Sequence, residues 1–270
     1  MPHTLVLSNK DTTTKAWLQA VKALDKNSKH AYNLVYSVIK PEQLTGPDKE
    51  VVRIFNEYAL KSGLHTTDTV ANTIFPVDTF RSKGSTEFYD FYLQSIFPKV
   101  RKQWGTYFER MICRRNDDGS MMQKDGTRLN PLHLLIKKIE RRIQAIGKTK
   151  THYELALDDP IFDLATYDAH HDGAYQIGGP CLSHLSFKID SSGALNLTAF
   201  YRSHWYIARA LGNLIGLARL QSFVAHQSKA NIGVLTIVAS EAQLDLSANG
   251  RRTADARKMI ADCEAIYGAS

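Results

Sequence analysis

In GGPCLSHLSFKIDSSGALNLTAFYRSHWYIARALGN, residues 178–213, the thiol of Cys181, the Arg202-Ser203 pair and the amide of Asn213 stand within one hairpin and the helix that follows it. A thiol of ordinary pKa, about 8.5, is only a few per cent thiolate at neutral pH, and a guanidinium within about 4 to 6 Å lowers that pKa by about 1 to 2 units. Arg202 therefore has two uses: it can grip a phosphate bidentately, and it can activate Cys181 as a nucleophile. Asn213 can donate to one polar atom of a planar ring and accept from the next. These residues also have an ordinary reading. A cysteine after Gly-Gly-Pro serves as a small apolar filler, Arg202 as a charge at a strand end, and Ser203 as a helix cap. Asn213 resists it, because an amide inside an apolar helix needs partners, and Gly212 beside it suggests the close approach of something polar.

The elements that must hold these groups are legible by period. LSFKI and LNLTAFY alternate around DSSG, which predicts an antiparallel hairpin with one buried face. Residues 206–227 are apolar on most sides and predict a buried central helix, and 232–246 return as a strand. Upstream, 12–27 predicts an amphipathic helix carrying Trp17, Val21 and Leu24. A strand over 32–41 stops at Pro41, and a helix over 47–63 runs from Pro47 to Gly63. Aromatics at 88, 91 and 92 predict a buried helix within 80–104, broken near Pro98. Two Asp-Gly signals make 114–131 an exposed hairpin or loop. Residues 132–150 predict a helix with Leu135, Ile136, Ile139, Ile143 and Ile146 on one face, Gly147 as its stop, and Lys137, Lys138, Arg141 and Arg142 as a solvated face. A strand over 151–160, a loop rich in Asp, His and Gly over 163–180, and a closing helix over 253–268 complete the chain. With no internal repeat, low-complexity tract or linker, residues 1–270 read as one α+β domain.

Composition narrows the partners. No apolar run reaches the roughly 18 residues that cross a bilayer, and MPHTLVLSNKDTTTK has no apolar core behind a basic start. A cytoplasmic protein without a membrane partner is expected. Cys113, Cys181 and Cys263 form neither an even set nor a CxxC pair, so reduced thiols are expected rather than disulfides or a zinc site. Adjacent His170, His171 and Asp172 have no third ligand at a useful spacing, and no metal is expected. A formal charge of +7 suits a phosphate-bearing partner, a nucleotide as well as a nucleic acid, and only that charge favours the latter.

Taken in order, Pro180-Cys181, a hairpin, Tyr201-Arg202-Ser203, a buried helix with Gly212-Asn213 near its start and a strand ending SEAQLD resemble the core of the thymidylate synthase family over residues 178–246. Asn213 keeps the family's interval of eleven residues after the arginine. HTTDTVANTIFP, 65–76, resembles the family's N-terminal phosphate-loop segment, and Thr106-Tyr107 its active-site tyrosine. The resemblance implies a thymidylate synthase-like α+β fold, a mixed or antiparallel sheet covered by helices. It implies a pyrimidine nucleotide whose C6 is attacked by Cys181, whose 5′-phosphate lies on Arg202 and Ser203 and whose base meets Asn213, with a catalytic Tyr107. It implies a homodimer joined sheet to sheet, with Lys148 and Lys150 near the arginines that complete the partner's phosphate site, and 5,10-methylenetetrahydrofolate as one-carbon donor.

The departures matter for the reaction. Trp205 replaces the aspartate, three residues after the arginine, that helps hold and protonate the folate. Gln243 and Asp245 stand where the family has His and Tyr on the sugar hydroxyl, Leu182 replaces the His after the cysteine, and a helix ending at Ser270 takes the place of the closing tail. A nucleotide pocket is expected to survive with much of the folate site gone. Gln243 and Asp245 remain candidates for the sugar, and a carboxylate there admits a ribose. Asn213 favours uracil without excluding cytosine, because an amide can turn over. Two main readings stand: an enzyme that methylates or hydroxymethylates C5 through a Cys181 adduct, and a non-catalytic relative that binds a nucleotide as a sensor or assembly component.

Overall fold

The computed structural model describes residues 4–101, 107–116, 118–144 and 181–268; the strand and loop expected over 151–180, together with Lys148, Lys150 and His170 to Asp172, lie outside them. From the N-terminus the elements are β1 (Leu5–Val6), α1 (Thr13–Lys26), β2 (His30–Val38), α2 (Gly46–Lys61), α3 (Thr67–Ile74), α4 (Val77–Phe91), α5 (Phe97–Val100), α6 (Tyr107–Ile112), β3 (Gln123–Lys124), β4 (Thr127–Arg128), α7 (Pro131–Gln144), β5 (Leu182–Ile189), β6 (Ala194–Tyr201), β7 (His204–Trp205), α8 (Ala210–Ser228), β8 (Asn231–Gln243) and α9 (Thr253–Gly268). The α+β class read from the sequence is the class observed. The sheet runs β1-β2-β8-β6-β5; β1 is parallel to β2 and β6 to β8, while β2 with β8 and β5 with β6 are antiparallel. Leu34, Tyr36, Leu197, Ala199, Leu235 and Ile237 alternate onto its buried face.

That alternation slips at the same level in neighbouring strands. Leu34, Ala239 and Tyr201 point into the core, and three residues along so do Ala31, Ala242 and His204, although pairing stays in register from Leu34↔Ala239 to Ala31↔Ala242. Asn33 absorbs the slip in β2 with a left-handed φ of 52°, and Arg202-Ser203 fill it between β6 and β7. A slip of this kind turns the sheet and aims side chains away from the regular ladder, which is how Arg202 and Ser203 leave it.

The buried helix α8 starts at Ala210, four residues later than its apolar run suggests, and it touches α3 backbone to backbone. A Cβ on Gly212 would stand 2.5 Å from Val70 Cβ, and one on Gly216 would stand 2.8 Å from the carbonyl of Ala71. What approaches Gly212 is thus α3, through the Val70 side chain and the carbonyl of Thr67, 3.0 Å from such a Cβ. The break expected at Pro98 also lies elsewhere. Gly84 kinks α4 at φ 66°, a π-turn spans Tyr92–Ile96, and Pro98 sits harmlessly in the first turn of α5. In 114–131 the exposed hairpin forms, β3 and β4 turning at Asp125-Gly126 with φ of 52° and 73°.

A buried carboxylate ties the helix ends. Asp48 accepts from Thr12 at 2.8 Å, from Thr14 and Tyr267, and from the amide and hydroxyl of Thr45 at 2.7 and 2.6 Å, joining the starts of α1 and α2 to α9. Burial pushes the Asp48 carboxyl up, but the bonds from Thr14, Thr45 and Tyr267 outweigh it and hold the carboxyl below its usual range. A depressed folded-state pKa contributes stability that is present above the unfolded value of about 3.9 and is lost as pH falls through the folded one. Asp48→Asn should cost about 1–3 kcal/mol at pH 7 and should reduce the fall in stability below pH 4, measured by urea unfolding across pH. An unchanged acid limb would mean that the depressed carboxyl is not what acid titrates.

Candidate active site

Cys181 immediately precedes β5 and is held on both sides through its main chain. The amide of Arg202 donates to Cys181 O at 2.9 Å, and the amide of Cys181 donates to Tyr107 Oη at 3.2 Å. These two bonds bring the end of β6, the start of β5 and the start of α6 to one point. Tyr107 is buried, and burial, then the negative charge that Cys181 carries when ionised, push its phenol up to about 12, so it is a neutral hydroxyl at pH 7. Arg209, the residue before α8, belongs to the same cluster: burial lowers its pKa, while Tyr107, Asp245 and Cys181 pull it back. The sequence reading did not single it out. Its signal was a cation at the head of an apolar helix, where the macrodipole disfavours positive charge.

The three thiols differ in environment. Cys113 and Cys263 are buried, and burial pushes them to about 11 and about 12, which leaves them inert. Cys181 is half-buried and faces two guanidinium groups. Its thiol is nevertheless not held below the ordinary value as the sequence suggested. Burial raises it, and the charges of Arg202 and Arg209 with a hydrogen bond from Arg202 recover only part of that shift. The reason is exposure: Arg202 is open to solvent, where water screens its charge.

Beside this cluster lies a buried polar group. Asn213 is 4% exposed, with Nδ2 3.0 Å from His204 Nε2. The His204 ring stacks on Tyr201, centroids 4.0 Å apart and planes 1° from parallel, and burial lowers its pKa to about 3, so the imidazole is neutral. Tyr201 is fully buried, with Tyr107, Tyr36 and Cys181 around its phenol. Tyr201 Oη, His204 Nδ1 and Asn213 Oδ1 have no hydrogen-bond partner among the described residues. His204 was not singled out from sequence, and Tyr201 was named only as the residue that opens Tyr201-Arg202-Ser203. Strict alternation from Tyr201 turns His204 outward and Trp205 inward; the slip reverses them, leaving Trp205 37% exposed.

The other expected residues are placed less simply. Asp245 is committed to the chain itself: its carboxylate accepts from Ile207 N at 2.7 Å and Ala208 N at 3.1 Å and pairs with Arg251 at 2.8 Å. That is a structural duty for the residue expected as a candidate for the sugar. Gln243 Nε2 donates to Glu241 at 2.8 Å, and Glu241 also meets His30 at 3.1 Å and the hydroxyl of Ser203. Within residues 65–76, which resemble the family's phosphate-loop segment, Thr67–Ile74 form α3, and His65 ahead of it lies close enough to Arg209 for that charge to lower its pKa further, after burial. The structure therefore brings together Cys181, Tyr107, Arg202 and Arg209, with Tyr201, His204 and Asn213 adjoining. No set of three or more His, Cys, Asp or Glu among the described residues could hold a metal, and none of the helices described is long and apolar enough to cross a membrane.

No family model matches the chain. Over 66 residues it is 41% identical to a protein of Methanopyrus kandleri named "Putative thymidylate synthase", a match that takes in 24% of this chain and 31% of that protein. The match thus spans about a third of that relative's length and suggests the thymidylate synthase family at most, as a class and not a reaction.

The electrostatics can be tested on the thiol. Removing the half-buried cation in Arg209→Ala disfavours the thiolate, so the pH at which iodoacetamide alkylates Cys181 at half its maximal rate should rise by about one unit. A superimposable profile would place the Arg209 charge too far from sulfur to matter.

Proposed function

We propose that this protein is a thymidylate synthase-like transferase that adds a one-carbon unit, methyl or hydroxymethyl, to C5 of a pyrimidine nucleotide through a Cys181 adduct at C6. The observation that carries this reading is the 2.9 Å main-chain bond between Arg202 and Cys181, which sets a half-buried thiol beside a solvent-facing guanidinium. Arg202 takes the 5′-phosphate bidentately, with the hydroxyl of Ser203 and with Lys148 and Lys150 as further phosphate contacts. Gln243 lies on the sugar side and Asn213 on the base edge. Once a phosphate dianion neutralises Arg202, Arg209 remains as the cation beside the thiolate. Tyr107, a neutral hydroxyl, holds the Cys181 main chain in place.

The sulfur lone pair forms the bond to C6, and the C5–C6 π pair moves onto C5 and O4. C5 then bonds to a one-carbon electrophile: a methyl donor releases its carrier with the electron pair of the broken carbon–carrier bond, whereas an aldehyde-level unit takes the pair onto its own oxygen, which is protonated to give the hydroxymethyl group. Loss of the C5 proton to solvent and departure of the thiolate restore the ring, so one hard substitution becomes two easier steps. The likeness to a thymidylate synthase suggests a folate such as 5,10-methylenetetrahydrofolate as donor, but the described residues do not fit it: Trp205 is 37% exposed where a carboxylate would be needed, and Asp245 is tied to Ile207, Ala208 and Arg251. No step here is routed through that group. The raised Cys181 thiol favours a second reading, nucleotide binding without turnover, as a sensor or assembly component.

Adduct formation makes C5 carbanionic even without an electrophile. Tritium at C5 of dUMP, UMP, dCMP or CMP should therefore exchange slowly into water, and Cys181→Ser should abolish the exchange while leaving nucleotide binding intact. Tight binding with no exchange from any of the four would leave the sensor reading; no binding would remove both.

A homodimer belongs to the same proposal. Val35, Thr198, Phe200 and Val238 lie on the half-exposed face of the sheet, opposite the helices, and that face joins two copies sheet to sheet. Such an interface buries about 2,000 Å² or more, and light scattering at micromolar concentration should report twice the chain mass. A monomer there would take Lys148 and Lys150 out of any shared phosphate site.

A further inference from the structure

A cavity of about 540 Å³ lies along the second half of α8. A helix turns by about 100° per residue, so the lining residues Ile215, Arg219 and Ser222 stand about 180–240° around α8 from Asn213. The cavity therefore opens away from the candidate active site. Its other walls are the turn at residues 41–44, the junction of α3 and α4 at residues 75–81, and Thr13, the first residue of α1. Its volume is that of a small-molecule site, for which about 300–1,000 Å³ is usual.

Three rings meet in its wall. Phe223 stands 4.8 Å from Phe75 and 4.9 Å from Phe80, and Phe75 stands 5.9 Å from Phe80, centroid to centroid. Phe75 and Phe223 are buried and Phe80 is half-buried, so the wall offers the faces and edges against which a flat ring packs. Thr13 is of the other character. It is 2% exposed, it lines the cavity, and its hydroxyl makes no hydrogen bond among the described residues. A polar atom that deep ordinarily has a partner. The start of α1 is also uncapped, because the hydroxyl of its N-cap, Thr12, donates instead to Asp48 at 2.8 Å. Amides of the first turn are thus left at the positive end of the helix dipole, where an anion is favoured. The ionisable lining points the same way. Arg81 and Arg219 stand against the carboxylate of Glu42, and the partners of the two arginines, Asp78 and Asp68, are exposed and screened by solvent.

We propose that this cavity is a second binding site, which takes a small planar aromatic anion: its ring lies against Phe75, Phe80 and Phe223, and its acid group meets Thr13 and the start of α1. The site shares α8 with the candidate active site but none of its side chains, so it stands apart from the nucleotide reading.

The probe is 1-anilinonaphthalene-8-sulfonate, a flat aromatic anion whose fluorescence rises in apolar surroundings; N-phenyl-1-naphthylamine, the same rings without the charge, is its control. The full native chain should bind one equivalent of the sulfonate, about ten-fold more tightly than the amine, as a hydrogen bond to a charged group provides. Thr13→Val removes the hydroxyl and keeps the shape, and it should cost the sulfonate about ten-fold while changing the amine by less than about two-fold. Ser222→Trp fills the cavity and should abolish binding of both. Sulfonate and amine bound alike, or an unmoved sulfonate affinity in either variant, would overturn the inference. Displacement of the sulfonate by dUMP would place the probe in the nucleotide site and overturn it as well, whereas failure of every nucleotide to bind would overturn only the nucleotide reading. Affinity that falls as protein concentration rises would give the cavity to a second copy of the chain, again overturning it. Should both variants fail to fold, methyl shifts of the native protein decide: Val77 and Ile215 moving on titration with the sulfonate support the inference, and both unmoved overturn it.

Discussion

The grip of Asp245 on the turn before α8 is the constraint on which the site depends. Four residues, 206–209, connect β7 to α8; Tyr206 N donates to Gln243 O and Arg209 N to Trp205 O, which leaves the amides of Ile207 and Ala208 as orphans in a dry interior without a further acceptor. Asp245, just past the end of β8, accepts from both, and Arg251 balances its charge. Removing one partner of such a buried pair typically costs about 3–5 kcal/mol, because the other charge is left uncompensated. That loss would fall on the residues that matter for chemistry. Arg209 stands at the end of the gripped turn, and Asn213 one helical turn beyond it.

Acids and cations are divided between architecture and site. Asp48 and Asp245, both buried, satisfy main-chain and hydroxyl donors at helix starts. Glu241 gathers Gln243, His30 and Ser203 at the strand ends. Among the described residues, what faces Cys181 is then cationic and neutral: Arg202, Arg209 and the phenol of Tyr107. A surplus of +7 on the whole chain says little by itself, but its local form, two guanidinium groups at one thiol with the nearest carboxylates among the described residues already engaged, suits a dianion. In the proposed function, phosphate and thiolate would compete for Arg202. A nucleotide bound there raises the cost of ionising the sulfur unless Arg209 compensates.

The polar floor of Tyr201, His204 and Asn213 is costly in the other sense. Unsatisfied buried groups cost about 1–3 kcal/mol each against a total stability of about 5–15 kcal/mol. The tight seam of α3 on α8 offsets part of that strain on the fold. Gly212 and Gly216 let the two backbones meet, which keeps the head of α8, and Asn213 with it, from shifting.

Much of this was legible in the residues. Period 3.6 located α1, α7 and α9, Pro47 and Gly63 bracketed α2, period 2 located β5 and β6, and Asp125-Gly126 marked its own turn, because each is a property of a short run of chain facing one environment. The spacing of Cys181, Arg202 and Asn213 was equally local in kind, since all three lie within one hairpin and its helix. What tertiary structure decided were the partnerships. The slip shared by β2, β8 and the β6-β7 junction turned His204 inward against the alternation, and no single strand records a neighbour's bulge. Asp245 became a clamp because the turn 206–209 arrived beside it with unpaired amides, and Gly212 faced α3 because the helices crossed there. The sign of the Cys181 shift was settled by depth of burial against exposure of Arg202, a balance that exists only once the chain has closed around the sulfur.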